Sequence, residues 1–180
     1  NVEFATHLHP WVNPPFEESD KVSNYNSYPG NLSNDIEFEK LKLLTNKIEE
    51  VCGESPTTYL AGRYGIGQNT LNSLKALGYN TDISISPFSN FTHQEGPNFS
   101  HFNNKTFEKN GISHWPHTTA IVSLFPSVER WFNQHPENFE KLQKNIISKI
   151  LLKFLRVKRQ RLSPEGFELN DLKKIKKTQL

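Results

Sequence analysis

Between residues 34 and 53 apolar side chains return every third or fourth position, at Leu41, Leu44, Ile48 and Val51, with Lys and Glu between them. That period predicts an amphipathic helix with one buried stripe. Asn34 or Asp35 supplies a capping oxygen for its first turn and Gly53 ends it. Residues 57–61 are short, partly β-branched and apolar and predict a strand. Gly62 to Gly67 predict a turn, and a second helix runs from Asn69 to Gly78. From Asp82 to Ser86 polar and apolar residues alternate until Pro87, which predicts another strand. Strand, helix and strand with short joints make a βαβ unit, with a parallel pair and a right-handed crossover.

Elsewhere the pattern is weaker. Val2 to Thr6 predict a first strand that delivers His7-Leu8-His9 into a loop at Pro10. Val12 to Asn34 show no period and are too long for an idle connection, which predicts a covering loop. A loop rich in Asn, Phe, Ser and His runs from Pro87 to about Lys109, and regular structure resumes near Thr118 to Leu124. Pro126 to about Leu155 predict helix in two pieces, divided at His135-Pro136. Its broad apolar face comprises Phe139, Leu142, Ile146, Ile147, Ile150, Leu151 and Phe154. The basic stretch Lys153 to Arg161 predicts a solvated helix end or an edge strand rather than a phosphate site, because no aromatic platform accompanies it. A last helix begins near Asn170, with Leu172 and Ile175.

Composition narrows the class. The chain has 180 residues and a formal net charge of +2, which gives one domain with a real core, residues 1–180, and no global field to recruit nucleic acid. Mean hydropathy is −0.66 and every apolar run is broken by Lys or Ser, so no membrane span is expected. A neutral, sugar-like partner is compatible. The single cysteine, Cys52, excludes an internal disulfide and a cysteine-based metal site. The N-terminus shows no basic start followed by an apolar stretch, which leaves localisation open.

The sharpest chemical feature is His7-Leu8-His9. Alternate side chains of an extended backbone point the same way, so both imidazoles can face one metal; they can equally be unconnected surface or core histidines. Catalytic zinc usually takes three protein ligands, so a third, for which a carboxylate is the expectation, has to come from elsewhere. His93, His101, His114 and His117 lie in polar stretches where a solvated imidazole is ordinary.

The run Glu3-Phe4-Ala5-Thr6-His7-Leu8-His9-Pro10-Trp11, with Asn13-Pro14-Pro15-Phe16 and Tyr28-Pro29-Gly30-Asn31-Leu32, resembles a branch of the NodB-homology polysaccharide deacetylases. Further blocks follow in the family's order. Tyr59-Leu60-Ala61-Gly62-Arg63-Tyr64-Gly65 is similar to its arginine-aromatic-glycine motif. Leu77-Gly78-Tyr79 to Asp82-Ile83-Ser84-Ile85-Ser86-Pro87 is similar to its Asp-containing strand, and Arg161-Leu162-Ser163-Pro164-Glu165-Gly166 to a segment before its final helix.

The resemblance implies an α/β fold, a partial, distorted (β/α) barrel, and removal of acetyl groups from the N-acetylated sugars of a glycan. It implies a divalent metal, usually zinc, on His7 and His9, with Arg63 in a catalytic position and Trp11, Tyr64 and Asp82 toward substrate. Tyr64 lines the groove or packs in the core, and Asp82 pairs with Arg63 or ends its strand. The family's Asp-Asp motif on an earlier strand and its late Leu-x-x-x-His motif have no counterpart here, so the implied domain is incomplete and this piece inactive alone. Two departures stand out: the common motif spaces its histidines four apart, where this chain has Trp11, and the branch carries an arginine where Leu60 stands. The alternative is a catalytically inactive carbohydrate-binding or scaffold relative.

Overall fold

The computed structural model describes residues 2–16 and 22–162. The predicted helix near Asn170 lies outside them, as does the segment from Ser163. The chain divides into two compact units. One comprises Asn1–Ile85, Phe91–Asn98 and Lys105–Pro116; the other comprises Ser86–Asn90, Phe99–Asn104 and His117–Leu180.

The first unit is α/β. Strands β1 (Ala5–Leu8), β2 (Thr58–Ala61), β3 (Thr81–Asp82), β4 (Phe107–Lys109) and β5 (Ile112–His114) form a sheet of order β1-β2-β3-β5-β4. The pairs β1–β2, β2–β3 and β3–β5 are parallel and β4–β5 is antiparallel. Helices α1 (Asn34–Cys52) and α2 (Thr70–Ala76) cover one face, where Leu41, Leu71 and Leu74 meet Leu8, Tyr59, Ala61 and Ile112.

Helix α1 confirms the predicted period and corrects its details. Its cap is Ser33, whose Oγ accepts from the Ile36 amide at 3.4 Å, and Gly53 ends it at φ 79°. Leu41 is buried, but Val51 is 71% exposed and the inward stripe carries Glu37, Lys40 and Thr45 instead. Each of these buried polar groups is bonded, as burial requires. Lys40 Nζ donates to the carbonyls of Asn13 and Pro15, Thr45 Oγ1 donates to Leu41 O at 2.7 Å, and Thr70 Oγ1 donates to Glu37 at 2.6 Å. Apolar periodicity cannot register a stripe built from polar side chains.

Three strand predictions change. β1 runs over Ala5–Leu8 rather than Val2 to Thr6, so His7 lies in the strand and not in the loop. β3 begins at Thr81 and is only two residues long: the Ile83 amide still reaches Tyr59 O at 2.9 Å, but Ser84 N turns back to Asp82 Oδ1 at 3.1 Å, a local bond that competes with the ladder. The predicted loop to Lys109 ends instead in the β4–β5 hairpin. Its turn is Asn110-Gly111, both at positive φ (56° and 75°), which suits the twist of a two-residue hairpin.

The second unit pairs β6 (Thr119–Val122) with β7 (Lys158–Arg161) in antiparallel fashion. The basic stretch thus ends as a strand. Asn133 takes the place of a further strand beside β6, its amide giving to Ile121 O at 2.7 Å and accepting from Ile121 N at 3.0 Å. The helical stretch has three pieces rather than two: α3 (Pro126–Gln134), α4 (Pro136–Gln143) and α5 (Ile146–Phe154). The extra break falls at Asn145, whose Oδ1 accepts from Ile147 N and Ser148 N and so starts a new helix. Phe88, Ile121, Phe132, Phe139, Leu152 and Val157 form this unit's core. Of the predicted apolar face only Phe139 is buried; Ile146, Ile147, Ile150, Leu151 and Phe154 are exposed.

Burial raises the Glu37 carboxyl to about 7 from 4.5, against the lowering effect of its bond from Thr70. The folded state therefore holds this proton more tightly than the unfolded chain, so the group's contribution is fully present below pH 4.5 and is lost as pH rises through 7. We expect urea unfolding to show wild-type stability falling between pH 5 and 8 by on the order of 2–3 kcal/mol through this group. Glu37→Gln should abolish that component, and an unchanged pH slope in the variant would disprove it.

Candidate functional site

The carboxyl ends of β1, β2, β3 and β5 share one edge of the sheet, where ligands of open parallel sheets bind. His7 and His9 leave β1 there. Thr6 and Leu8 point into the helix-covered face, so His7 takes the opposite face, and the rings of His7 and His9 lie 4.3 Å apart, edge to face. His7 Nδ1–H donates to Leu60 O at 2.9 Å, the residue beside it in the β1–β2 register. That bond sets the tautomer and leaves Nε2 with its lone pair. His9 is half-buried and its Nδ1 is buried without a partner. Burial, and then the neighbouring His7, hold His9 below the ordinary imidazole value, which favours the neutral form that a metal needs.

Gly62 permits this arrangement. A Cβ there would strike Leu8 O and come within 2.7 Å of His9 Nδ1. The next two residues, Arg63 and Tyr64, both have left-handed backbone, φ 54° and 61°, which costs about 1–2 kcal/mol each for residues with a Cβ. The covering loop holds them in place: Tyr28 and Pro29 are buried, and Gly30 N donates to Gly65 O at 2.7 Å. Arg63 is fixed from three sides. Its Nη1 donates to Ser27 Oγ at 2.5 Å, its Nη2 to Gln94 Oε1 at 2.5 Å, and its Cζ lies 4.5 Å over the Tyr28 ring. Among the described residues it makes no ion pair.

His9, Trp11, Val22, Asn24, Ser27 and Arg63 line an open cavity of about 660 Å³. Trp11 is 38% exposed, with its ring 4.6 Å from that of His9. Tyr64 stacks on Phe91 at 6.0 Å and 11° and does not line this cavity.

Asp82 goes elsewhere. It is wholly buried and, of the two alternatives read from the sequence, it ends its strand rather than pairing with Arg63; its partner is His114, whose Nδ1–H donates to Asp82 Oδ2 at 2.8 Å. Asp82 Oδ1 accepts from Ser84 Oγ at 2.5 Å, and Ser84 Oγ accepts from Ala61 N at 2.8 Å. His114, expected in a solvated loop, is 2% exposed in β5 and stacks on Phe107 at 4.6 Å. Its Nε2 is buried without a partner, as is the Tyr59 hydroxyl. Burial, followed by the charges of Glu37, Asp82 and Tyr79, lifts Tyr59 well above the usual phenol range. Asn110-Gly111 was the signal for His114: a hairpin turn there makes residues 112–114 a strand.

Two histidine rings are brought together, and among the described residues no group of three or more His, Cys, Asp or Glu side chains is placed to hold a metal ion. What the sheet edge offers is an orphaned His9 Nδ1 packed over Gly62 and a His7 ring whose Nδ1 is engaged by Leu60 O. Comparison with protein-family models, with curated proteins and with solved structures gave no match.

Asp82→Ala should cost about 3–5 kcal/mol in chemical denaturation, because it strands a buried imidazole. The Asp82→Ala, His114→Phe double variant should lose markedly less than the sum of the singles, and simple additivity would show that the two do not act as a pair. Gly62→Ala should shift the His9 imidazole resonances, whereas Gly53→Ala, whose Cβ meets nothing within 4 Å, should leave them in place.

Proposed function

We propose that this chain carries part of the site of a metal-dependent hydrolase that removes acetyl groups from N-acetylated sugars, on a partial (β/α) barrel of the polysaccharide deacetylase type. The observation that carries the reading is the His7–His9 pair beside Arg63 and Trp11 at the carboxyl edge of a parallel sheet. The sequential order of β1, β2 and β3 and the half-exposed sheet face opposite the helices support the barrel. The HLHPW run and the Gly62-Arg63-Tyr64-Gly65 turn support the family.

In this reading His7 and His9 hold a divalent metal, zinc by the family resemblance, with a third ligand from outside the described residues. Bound there, such an ion supplies a Lewis acid for the acetamide carbonyl and an acidified water. The chain's own residues do the rest of the positioning. Arg63, held by Ser27 and Gln94, presents a fixed guanidinium to a carbonyl or carboxylate oxygen at the cavity. Trp11 offers an apolar ring for the face of a sugar. The cavity volume of about 660 Å³ falls within the range of small-molecule sites.

The test is zinc content and competitive zinc titration of the purified chain, with His7→Ala and His9→Ala beside it. One bound zinc in the wild type, with affinity lowered at least about tenfold in each variant, is expected. Retention of full affinity in both variants would overturn the metal site. Zinc binding also separates this reading from the alternative: binding of N-acetylglucosamine oligomers by a chain that takes up no zinc assigns it to a carbohydrate-binding relative.

A further inference from the structure

The nine residues of α5 are turned the opposite way from those of an ordinary surface helix. Leu152 is buried and Leu155 packs partly into the core, while Ile147 is 79% exposed, Ile146 76%, Phe154 74%, Ile150 66% and Leu151 56%. At 100° per residue these five occupy one arc of about 140°. Single exposed apolar side chains are ordinary, but five on one short helix form a contiguous patch of the kind that marks an interaction surface.

Charge identifies the partner. Eight of the chain's 21 basic residues and none of its 19 acidic ones fall between Lys141 and Leu162, against a net charge of only +2 for the whole chain. Lys149 and Lys153 border the apolar arc on one side, Lys144 precedes it, and Arg156 and Lys158 follow; all five are exposed. The nearest carboxylate before them, Glu140, is already engaged by Asn90 at 2.5 Å and Lys144 at 3.4 Å. A second copy would set this basic border against itself. A nucleic acid would meet the cations but has no use for an aliphatic arc.

We infer that α5 and the basic residues around it form a docking surface for an anionic lipid bilayer. Ile146, Ile147, Ile150, Leu151 and Phe154 enter the boundary between headgroups and acyl chains, and the lysines meet lipid phosphates. The helix lies on the membrane and does not cross it; among the described residues no helix is long and apolar enough to span one. The inference is independent of the metal reading.

The test is sedimentation of the full 180-residue chain with vesicles of phosphatidylcholine alone and of phosphatidylcholine with phosphatidylglycerol. The chain should pellet with the anionic vesicles, and binding should fall as salt rises from about 0.1 to 0.5 M. Ile147→Glu and Phe154→Glu change exposed side chains, so circular dichroism should be unaltered while partitioning drops at least about tenfold. Lys149→Glu should lower it about fivefold. Equal binding to both vesicle types, no binding, or wild-type binding by the two glutamate variants would overturn the inference. So would a dimer in gel filtration that Ile147→Glu dissociates while vesicle binding is absent, which would assign the face to a second copy.

Discussion

A carboxylate without solvent must find its hydrogen bonds inside the protein, and Asp82, wholly buried, organises the parallel sheet by doing so. One oxygen takes the His114 imidazole and the other takes Ser84, which in turn holds the Ala61 amide. Three neighbouring strands are thereby tied at their carboxyl ends through side chains as well as backbone, Ile83 N reaching Tyr59 O and Trp115 N reaching Asp82 O at the same level. The register places Thr6, Tyr59, Asp82, His114 and Phe107 in one row across the sheet. Thr6, Tyr79 and Thr45 continue the polar chain into α1 at 2.5 and 2.7 Å. The helix-covered face is therefore apolar in outline with a polar row across it, in which Asp82 and His114, and Thr6, Tyr79 and Thr45, satisfy one another while the Tyr59 hydroxyl stays unpartnered.

The same edge carries the histidine pair and Arg63. Their geometry rests on backbone features more than on the side chains themselves. Gly62 lets His9 lie against the β2 turn, and the two left-handed residues after it aim the guanidinium toward Ser27 and Gln94. Lys40, buried at 0% exposure, secures Asn13 and Pro15, so α1 holds down the start of the covering loop while the Gly30–Gly65 bond holds its later part. Strain stored in the Arg63-Tyr64 turn is offset by these contacts around it. Trp115, 58% exposed just after β5, leaves the same edge, and neither composition nor motif singled it out.

Much of this architecture was legible in the chain, and the exceptions share a cause. Helix α1, helix α2, β2 and the turn after it followed from period and punctuation, because a 3.6-residue repeat closed by glycine states its own boundaries. The HLH spacing placed two imidazoles on one side of a strand, and their rings do lie together. Polar burial escaped notice: Glu37, Lys40, Asp82 and His114 resemble surface residues until their partners, 25 to 33 positions away, are known. The Asn110-Gly111 hairpin was local enough to be read, and it alone would have moved His114 from a loop into a strand.

For this protein, then, the sequence by itself determined the alternation of strands and helices, the histidine pair at the first strand end, and the basic stretch from Lys153 to Arg161. These are properties of neighbours along the chain, set by backbone geometry and side-chain type within a few residues. Only the tertiary structure decided that Asp82 belongs to His114 rather than to Arg63, that Arg63 is held by neutral oxygens and an aromatic ring, and that α5 turns its isoleucines outward. Those outcomes depend on which surfaces meet across the sheet or against a core, and burial assigns partners by distance in space, which no local pattern encodes.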